Sequence, residues 1–333
     1  MKLGASTSYI LNKTLRYSIT LFIVVTLNFF IPRMMPGDPI RRLLGENAFL
    51  ADKQFLAELY AEYGLDKPLH VQYVNYLSSL ASFDFGYSIS LNQKVSELIA
   101  DRMFWTAVLV MPSIILAALL GLALGSIAGY MRGKPIDSIL TSINLFLYTC
   151  PSFLMAMTVI TVFSFHLGWF PLGHATSGTQ TGIFYLLDVA WHLFLPIMIL
   201  SISGAVYKFL IIRNSIVEVM DEYFIFVARA KGLSDSRVAF VHVMRNILPQ
   251  FISILALNFG FMVSGALIIE TVFSLNGMGT MIYEAVSSRD YPVLQGAFLV
   301  LTISVLVANF LAEILYGIAD PRIGDTEHSG KTG

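Results

Sequence analysis

The chain has 333 residues, a formal net charge of −1, 56% hydrophobic and 13% charged residues, and a mean hydropathy of +0.71. That balance excludes an ordinary soluble domain and reads as an all-α, multi-spanning membrane protein. The charge gives no reason to expect a nucleic-acid partner, the single Cys150 excludes an intrachain disulfide, and the six histidines show no metal-ligand spacing.

Residues 1–16 carry Lys2, Lys13 and Arg16, and the apolar run 17–35 follows, long enough to cross a hydrocarbon core of ~30 Å. No small-residue cleavage pattern ends it, so we read a retained first span with its N-terminus inside. Residues 36–103 are hydrophilic with helical periodicity. Phe55, Leu56, Leu59, Tyr60 and Tyr63 predict one helix closed by Gly64, and Asp66 before Pro68 predicts the start of another carrying Val71, Val74 and Leu77. A segment of this length is expected to fold as a small helical cap outside the membrane.

The second span covers about 104–130. Ser113, Ala117, Gly121, Gly125 and Gly129 recur every four residues and put five small side chains on one face. Such faces let helix backbones approach closely in lipid, so a helix-packing role is expected, against another helix of this chain or of a second subunit. A short basic turn, 131–138, holds Arg132 and Lys134. The third apolar segment, 139–170, contains Cys150-Pro151, where the proline is expected to kink or break the helix. A Cys-Pro pair in a span also occurs in metal-pumping ATPases, but the chain has no Asp-Lys-Thr-Gly phosphorylation site.

The 171–192 loop lacks Lys and Arg, and a fourth span follows at 193–212. The fifth span, 247–273, includes Asn258, Gly260 and Ser264, and the 274–295 loop carries only Arg289. A sixth span ends near residue 318 and a polar tail covers 319–333. Basic residues crowd the two later inner loops, so six spans with both termini cytoplasmic are expected. The six Lys and Arg of the first outer loop do not oppose this, because loops of that length translocate largely regardless of charge. Within the spans, Lys208 is expected to snorkel toward the cytoplasm. Glu270 and Glu313 read as structural or interfacial groups before proton relays.

The stretch 221–250 stands out. It carries Arg229, Lys231, Arg237 and Arg245 between two apolar segments, and its grammar is helix, turn, helix. Residues 216–230 favour helix, Gly232 is suited to stop it in the left-handed conformation, and Ser234 is placed to cap a second helix running toward Pro249. The tail sequence Ser329-Gly330-Lys331-Thr332 ends like a P-loop, but Asp325 stands where that motif needs glycine. If ATP drives this protein, another chain binds it.

Ala228-Arg229-Ala230-Lys231-Gly232-Leu233, preceded by Glu222-Tyr223, resembles the cytoplasmic EAA loop of ABC importer permeases. Phe226-Val227-Ala228 replaces the usual Glu-Ala-Ala, and His242-Val243-Met244-Arg245 stands where Ile-x-Leu-Pro is usual. Both departures are similar to the peptide/nickel branch. Met35-Pro36-Gly37-Asp38-Pro39, Tyr63-Gly64-Leu65-Asp66-Lys67-Pro68, Gln72-Tyr73 and Asp84-Phe85-Gly86-Tyr87-Ser88 resemble the "B" permease subunits of dipeptide, oligopeptide and nickel importers. Asn276-Gly277-Met278-Gly279, Arg289-Asp290-Tyr291-Pro292 and Ala319-Asp320-Pro321-Arg322-Ile323 extend the likeness, which covers most of 15–323.

The resemblance implies a type I ABC importer permease fold in the cell membrane. It implies a non-catalytic subunit that binds no cofactor, with ATP and Mg used by two partner ATPase subunits. A homologous second permease subunit, forming a heterodimer around the pore, and an extracytoplasmic substrate-binding protein complete the implied assembly. Glu222, Tyr223 and Ala228 to Leu233 would then couple to the ATPase. Pro36, Gly37, Asp38 and Pro39 are expected to dock the binding protein or brace the pore mouth. The expected organisation is a cytoplasmic N-terminus and first span (1–35), an extracytoplasmic helical region (36–103), a five-helix core (104–318) with the coupling loop at 214–246, and a cytoplasmic tail (319–333). Dipeptides and oligopeptides head the substrate expectation, with nickel complexes, glutathione and oligosaccharides open. An ATP-independent secondary transporter is the alternative, although no internal repeat supports it. A membrane enzyme would need a nucleophile–base pair or metal-ligand spacing, and neither is visible.

Overall fold

The computed structural model describes residues 3–34, 36–44, 52–82, 84–260 and 266–319, and among them every regular element is helical apart from one isolated bridge, Tyr87 to Lys94. In chain order the helices are α1 (Leu3–Met34), α2 (Pro39–Leu44), α3 (Lys53–Glu62), α4 (Leu69–Ala81), α5 (Val95–Tyr130), α6 (Pro135–Thr149) and α7 (Ser152–Val159). They continue with α8 (Ile183–Met220), α9 (Tyr223–Ala230), α10 (Asp235–Arg237), α11 (Met244–Gly260), α12 (Leu267–Val272), α13 (Met278–Ser288) and α14 (Tyr291–Ala319). Met35, Ser264 and the 320–333 tail lie outside the described residues, as does the side chain of Glu313.

Three of these helices are long and apolar enough to cross a membrane: the Leu15–Met34 part of α1, α5 and α8. α6 and the α7 segment through His166 qualify together but meet at a 95° bend. The cause is local. Pro151 has no N–H to continue the ladder of α6, and it forces Cys150 before it into extended backbone (φ −79°, ψ 116°). α14 contributes a shorter apolar stretch, Tyr291–Val307.

The chain divides into two compact units. The first comprises Met1–Trp105 and Gly277–Leu306. Its core holds Phe29, Ile40, Val95, Leu294 and Ala297. α3 ends as its glycine demands: Gly64 takes φ +63°, and the amides of Gly64 and Leu65 bond back to the carbonyls of Ala61 and Tyr60. α4 begins at Leu69, later than the sequence suggested, with Pro68 at the cap position and its carbonyl accepting from Val71 and Gln72. The buried Asp290 carboxylate collects three bonds from the 88–90 loop: Ser88 Oγ (2.6 Å), Ser90 N (2.9 Å) and Ser90 Oγ (2.8 Å).

The second unit comprises Thr106–Asn276 and Val307–Gly333. One of its apolar clusters gathers Leu109, Ala156, Leu193, Ile199, Ile269 and Phe273. The other gathers Ile212, Ile216, Ile225, Ala228, Val238, Val243 and Ile247. The small-residue face of α5 lies along α8, in parallel register. Ser201 Oγ reaches Ser113 O at 3.4 Å, and a Cβ on Gly204 would stand 3.1 Å from that of Ala117. Further along, a Cβ on Gly121 would meet Lys208 Cβ at 2.5 Å, one on Gly125 would meet Phe209 O at 2.8 Å, and one on Gly129 would meet Ile216 Cβ at 2.9 Å. Backbone contact this close admits no side chain.

Lys208 does not snorkel. It is 3% exposed, and its Nζ donates to Gly204 O and Asn258 Oδ1, both at 3.1 Å. Two neutral acceptors inside the unit replace the water that snorkelling would supply. Glu270 is fully buried and accepts from Thr106 Oγ1 at 2.9 Å.

Candidate functional site

The basic stretch after α8 folds differently from the continuous 216–230 helix that the sequence predicts. α8 stops at Met220, and Glu222 turns extended (φ −74°, ψ 145°) at the cap position of α9. Asp221 is drawn aside by Arg132, whose Nη1 lies 2.7 Å from its Oδ2. The break makes α9 a separate helix set on the end of α8.

α9 is amphipathic by i, i+3 spacing. Ile225 and Ala228 are buried against Ile212, Ile216, Val238 and Val243. Its other face presents Tyr223 at 77% and Phe226 at 67% exposure, their rings stacked at 6.2 Å. Exposed aromatic pairs of this kind on a short helix mark an interaction surface. Phe240 stands equally exposed on the following π-helical turn, Val238–Val243.

The C-terminus of α9 is closed by a two-bond cap. Gly232 takes φ +78°, its amide bonds Arg229 O at 2.9 Å, and the Leu233 amide bonds Ala228 O at 3.3 Å. Leu233 then packs against the Ile225 and Ala228 cluster, the apolar contact that accompanies this cap. Ser234 occupies the cap position of α10 without a side-chain bond to it, and that helix is only three residues long. Arg229 and Lys231 stay exposed, with Arg229 Nε 3.7 Å from Asp235.

Three anchors tie this region to the long helices. Arg213 grips the buried Asp137 of α6 with both ends of its guanidinium, at 2.6 and 2.8 Å. Tyr130 Oη, at the end of α5, donates to Ala239 O at 2.9 Å. The third is the close packing of α5 on α8. Short contacts therefore link the region around α9 to α5, α6 and α8.

Residues 121–325 match the family described as binding-protein-dependent transport system inner membrane component, and residues 7–110 match the N-terminal region of that family. The chain belongs to this family of ABC importer permeases. The permease is 34% identical to the di/tripeptide transport system permease protein DppB of Pseudomonas aeruginosa, over 91% of this chain and 95% of that one. It is 33% identical to the glutathione transport system permease protein GsiC of Escherichia coli K12, over 95% and 98% of the two chains. Among solved structures it is similar in fold to a chain of the MetNI methionine ABC transporter in inward-facing conformations. That likeness has a TM-score of 0.53 at 15% identity, and covers 68% of the permease and 97% of the other chain.

The second group of sequence candidates lies in the other unit. Asp38 caps α2 by accepting from the amides of Ile40 (2.9 Å) and Arg41 (3.3 Å), and it also accepts from Tyr60 Oη. Burial first, then that bond, push the Tyr60 phenol above its ordinary pKa. Gly37 takes φ +110° with the Arg289 guanidinium against it, so a Cβ there would fall 2.3 Å from Arg289 Cζ. The Pro36–Pro39 turn and the Arg289-Asp290-Tyr291-Pro292 motif thus meet within one unit. Sequence reasoning missed Phe226, which stacks on Tyr223, and the exposed Phe240. It also missed the Asp137–Arg213 pair, whose partners are 76 residues apart.

Proposed function

We propose that this permease is one half of the transmembrane pathway of an ATP-driven importer for small peptides, coupled to its ATPase through α9. In this reading six spans cross the membrane with both termini cytoplasmic, residues 36–103 lie outside, and a homologous second permease subunit completes the pore. The observation that carries the coupling role is the split character of α9. Ile225 and Ala228 bind it to the α8 and α11 core, while Tyr223 and Phe226 face outward, free to seat in a separate protein. Closure of two ATPase subunits on ATP would press on that face, and the anchors through Asp137, Tyr130 and the α5–α8 ladder would carry the displacement into the spans. Glu222, Arg229 and Lys231 flank the aromatic pair and supply charged contacts at its edge.

The peptide reading rests on the di/tripeptide permease among the relatives. Glutathione is the second reading, since its permeases are nearly as similar over the same length. The test is purification of the tagged chain from its native membrane in mild detergent, with identification of every co-purifying protein and uptake assays for dipeptide and glutathione. Recovery with a second permease chain and P-loop ATPases is expected. Recovery alone, with transport in ATP-free liposomes, refutes the importer reading in favour of a secondary transporter.

A further inference from the structure

We propose that an open notch in the first unit, between the turn that leaves α1 and the C-terminus of α13, binds the phosphate of an anionic phospholipid. The proposal rests on α1 crossing the membrane and not on which solute the pore carries.

The notch measures about 370 Å³ and is lined by Gly37, Asp38, Arg41 and Arg289. A water molecule's share of the liquid is about 30 Å³, so roughly twelve waters fit, more than a phosphate group displaces. Arg289 closes α13 in the left-handed conformation (φ +58°). Its amide bonds Val286 O at 3.3 Å, and the next amide, of Asp290, bonds Ala285 O at 2.9 Å. Glycine or asparagine fills that position at least cost, so an arginine there is strained. Its half-buried guanidinium lies over Gly37, where φ is +110° and a Cβ would run into Cζ, Nη1 and Nη2 together. Among the described residues that guanidinium makes no hydrogen bond and no ion pair. Five N–H donors are thus held in place without a protein acceptor.

The carboxylate in the notch does not answer that charge. Asp38 Oδ1 accepts from the amides of Ile40 and Arg41, and Oδ2 accepts from Tyr60 Oη. The exposed Arg41 adds a second guanidinium, its Nε 4.0 Å from Asp38 Oδ2. Two cations against one committed carboxylate leave a net positive charge for an anion, and planar guanidinium forks match phosphate oxygens.

Position selects the source of the phosphate. The apolar stretch of α1 that can cross a membrane ends at Met34, three residues before Gly37, and that of α14 starts at Tyr291, two residues after Arg289. Both walls of the notch therefore stand where apolar helix gives way to polar chain. That is the depth of the headgroup layer, which adds roughly 5–7 Å to each face of the ~30 Å hydrocarbon core. Leu27, Ile31 and Met34 form an exposed apolar stripe at i, i+4, i+7 on the last turns of α1, a surface for acyl chains. The net charge favours phosphatidylglycerol over zwitterionic phosphatidylcholine.

The test is native mass spectrometry of the full-length chain in detergent, delipidated and titrated with either lipid. One phosphatidylglycerol per chain is expected to bind at least fivefold more tightly than phosphatidylcholine. Arg289→Asn removes the guanidinium and keeps a residue that tolerates the left-handed backbone, and Arg41→Gln changes an exposed side chain. Each is expected to reduce phosphatidylglycerol to the level of phosphatidylcholine. Lys134→Gln, in the basic turn of the other unit, is expected to leave the preference intact. Equal binding of the two lipids overturns the proposal, as does a preference that survives in both arginine variants. Displacement of the lipid by millimolar glycerol 3-phosphate also overturns it, and assigns the notch to a soluble phosphate. Arg41→Gln decides alone if Arg289→Asn does not fold.

Discussion

Single residues carry unequal weight in this chain, and the physics says which. Gly232 holds φ +78°, and a Cβ there would meet nothing within 4 Å, so any cost of substitution is purely one of backbone. A left-handed residue with a β-branched side chain costs roughly 1–2 kcal/mol, while Asn tolerates the region. Gly232→Val is therefore expected to uncouple substrate-stimulated ATP hydrolysis from uptake in the assembled transporter, with Gly232→Asn close to the original. Uptake and ATPase activity unchanged in Gly232→Val would remove α9 from the coupling path. Asp137 acts through its partner instead: its bonds to Arg213 are charge-assisted, each class worth about 1.5–3 kcal/mol, and they hold α6 to α8.

Among the elements, the α5–α8 pair is packed backbone against backbone. Four-residue steps on α5 (Ala117, Gly121, Gly125, Gly129) meet four-residue steps on α8 (Gly204, Lys208, Ile212, Ile216), so the two helices contact backbone to backbone over three turns. In lipid, where apolar surface gains nothing by leaving the solvent, dispersion at this distance is what holds them. Gly125→Val would drive its Cβ to 2.8 Å from Phe209 O and 3.0 Å from Ile212 Cβ. Overpacking of that kind costs about 1–3 kcal/mol, so a lowered thermal midpoint in detergent is expected. A midpoint equal to the original would mean that the helices part without loss. Lys208 belongs to the same seam. Its Cβ lies against Gly121, and the small face of α5 is what leaves room for its stem, while its ammonium is held by Gly204 O and Asn258 Oδ1.

At the scale of the whole molecule, function depends on which loops face which side. The positive-inside pattern predicts α9 in the cytoplasm and residues 36–103 outside. In a Cys150→Ser background, Asp66→Cys is expected to react with a membrane-impermeant maleimide in intact cells. Lys231→Cys is expected to react only after permeabilisation. The reverse labelling would invert the topology and place the Tyr223–Phe226 face where no ATPase could reach it.

Much of this was legible in the sequence wherever the cause is local. Pro151 breaks its helix because a missing N–H acts within one turn. Gly64 and Gly232 end theirs because the left-handed conformation is a property of the residue. The four-residue run of small side chains announced a packing face, and the motifs spread from Pro36 to Pro292 pointed to the permease family that the whole-chain similarities establish. Tertiary structure alone decided the partners. It chose α8, in parallel register, as the helix against α5, and it turned Lys208 inward to Asn258, fifty residues away. It broke the helix at Glu222, so that α9 became a separate short helix, and it brought Arg33 and Gln295 to one cavity from opposite ends of the chain. The difference is one of range. Backbone chemistry and periodicity act over a few residues and are written in order along the chain. A buried charge or an unpaired donor finds its acceptor only after distant segments have packed.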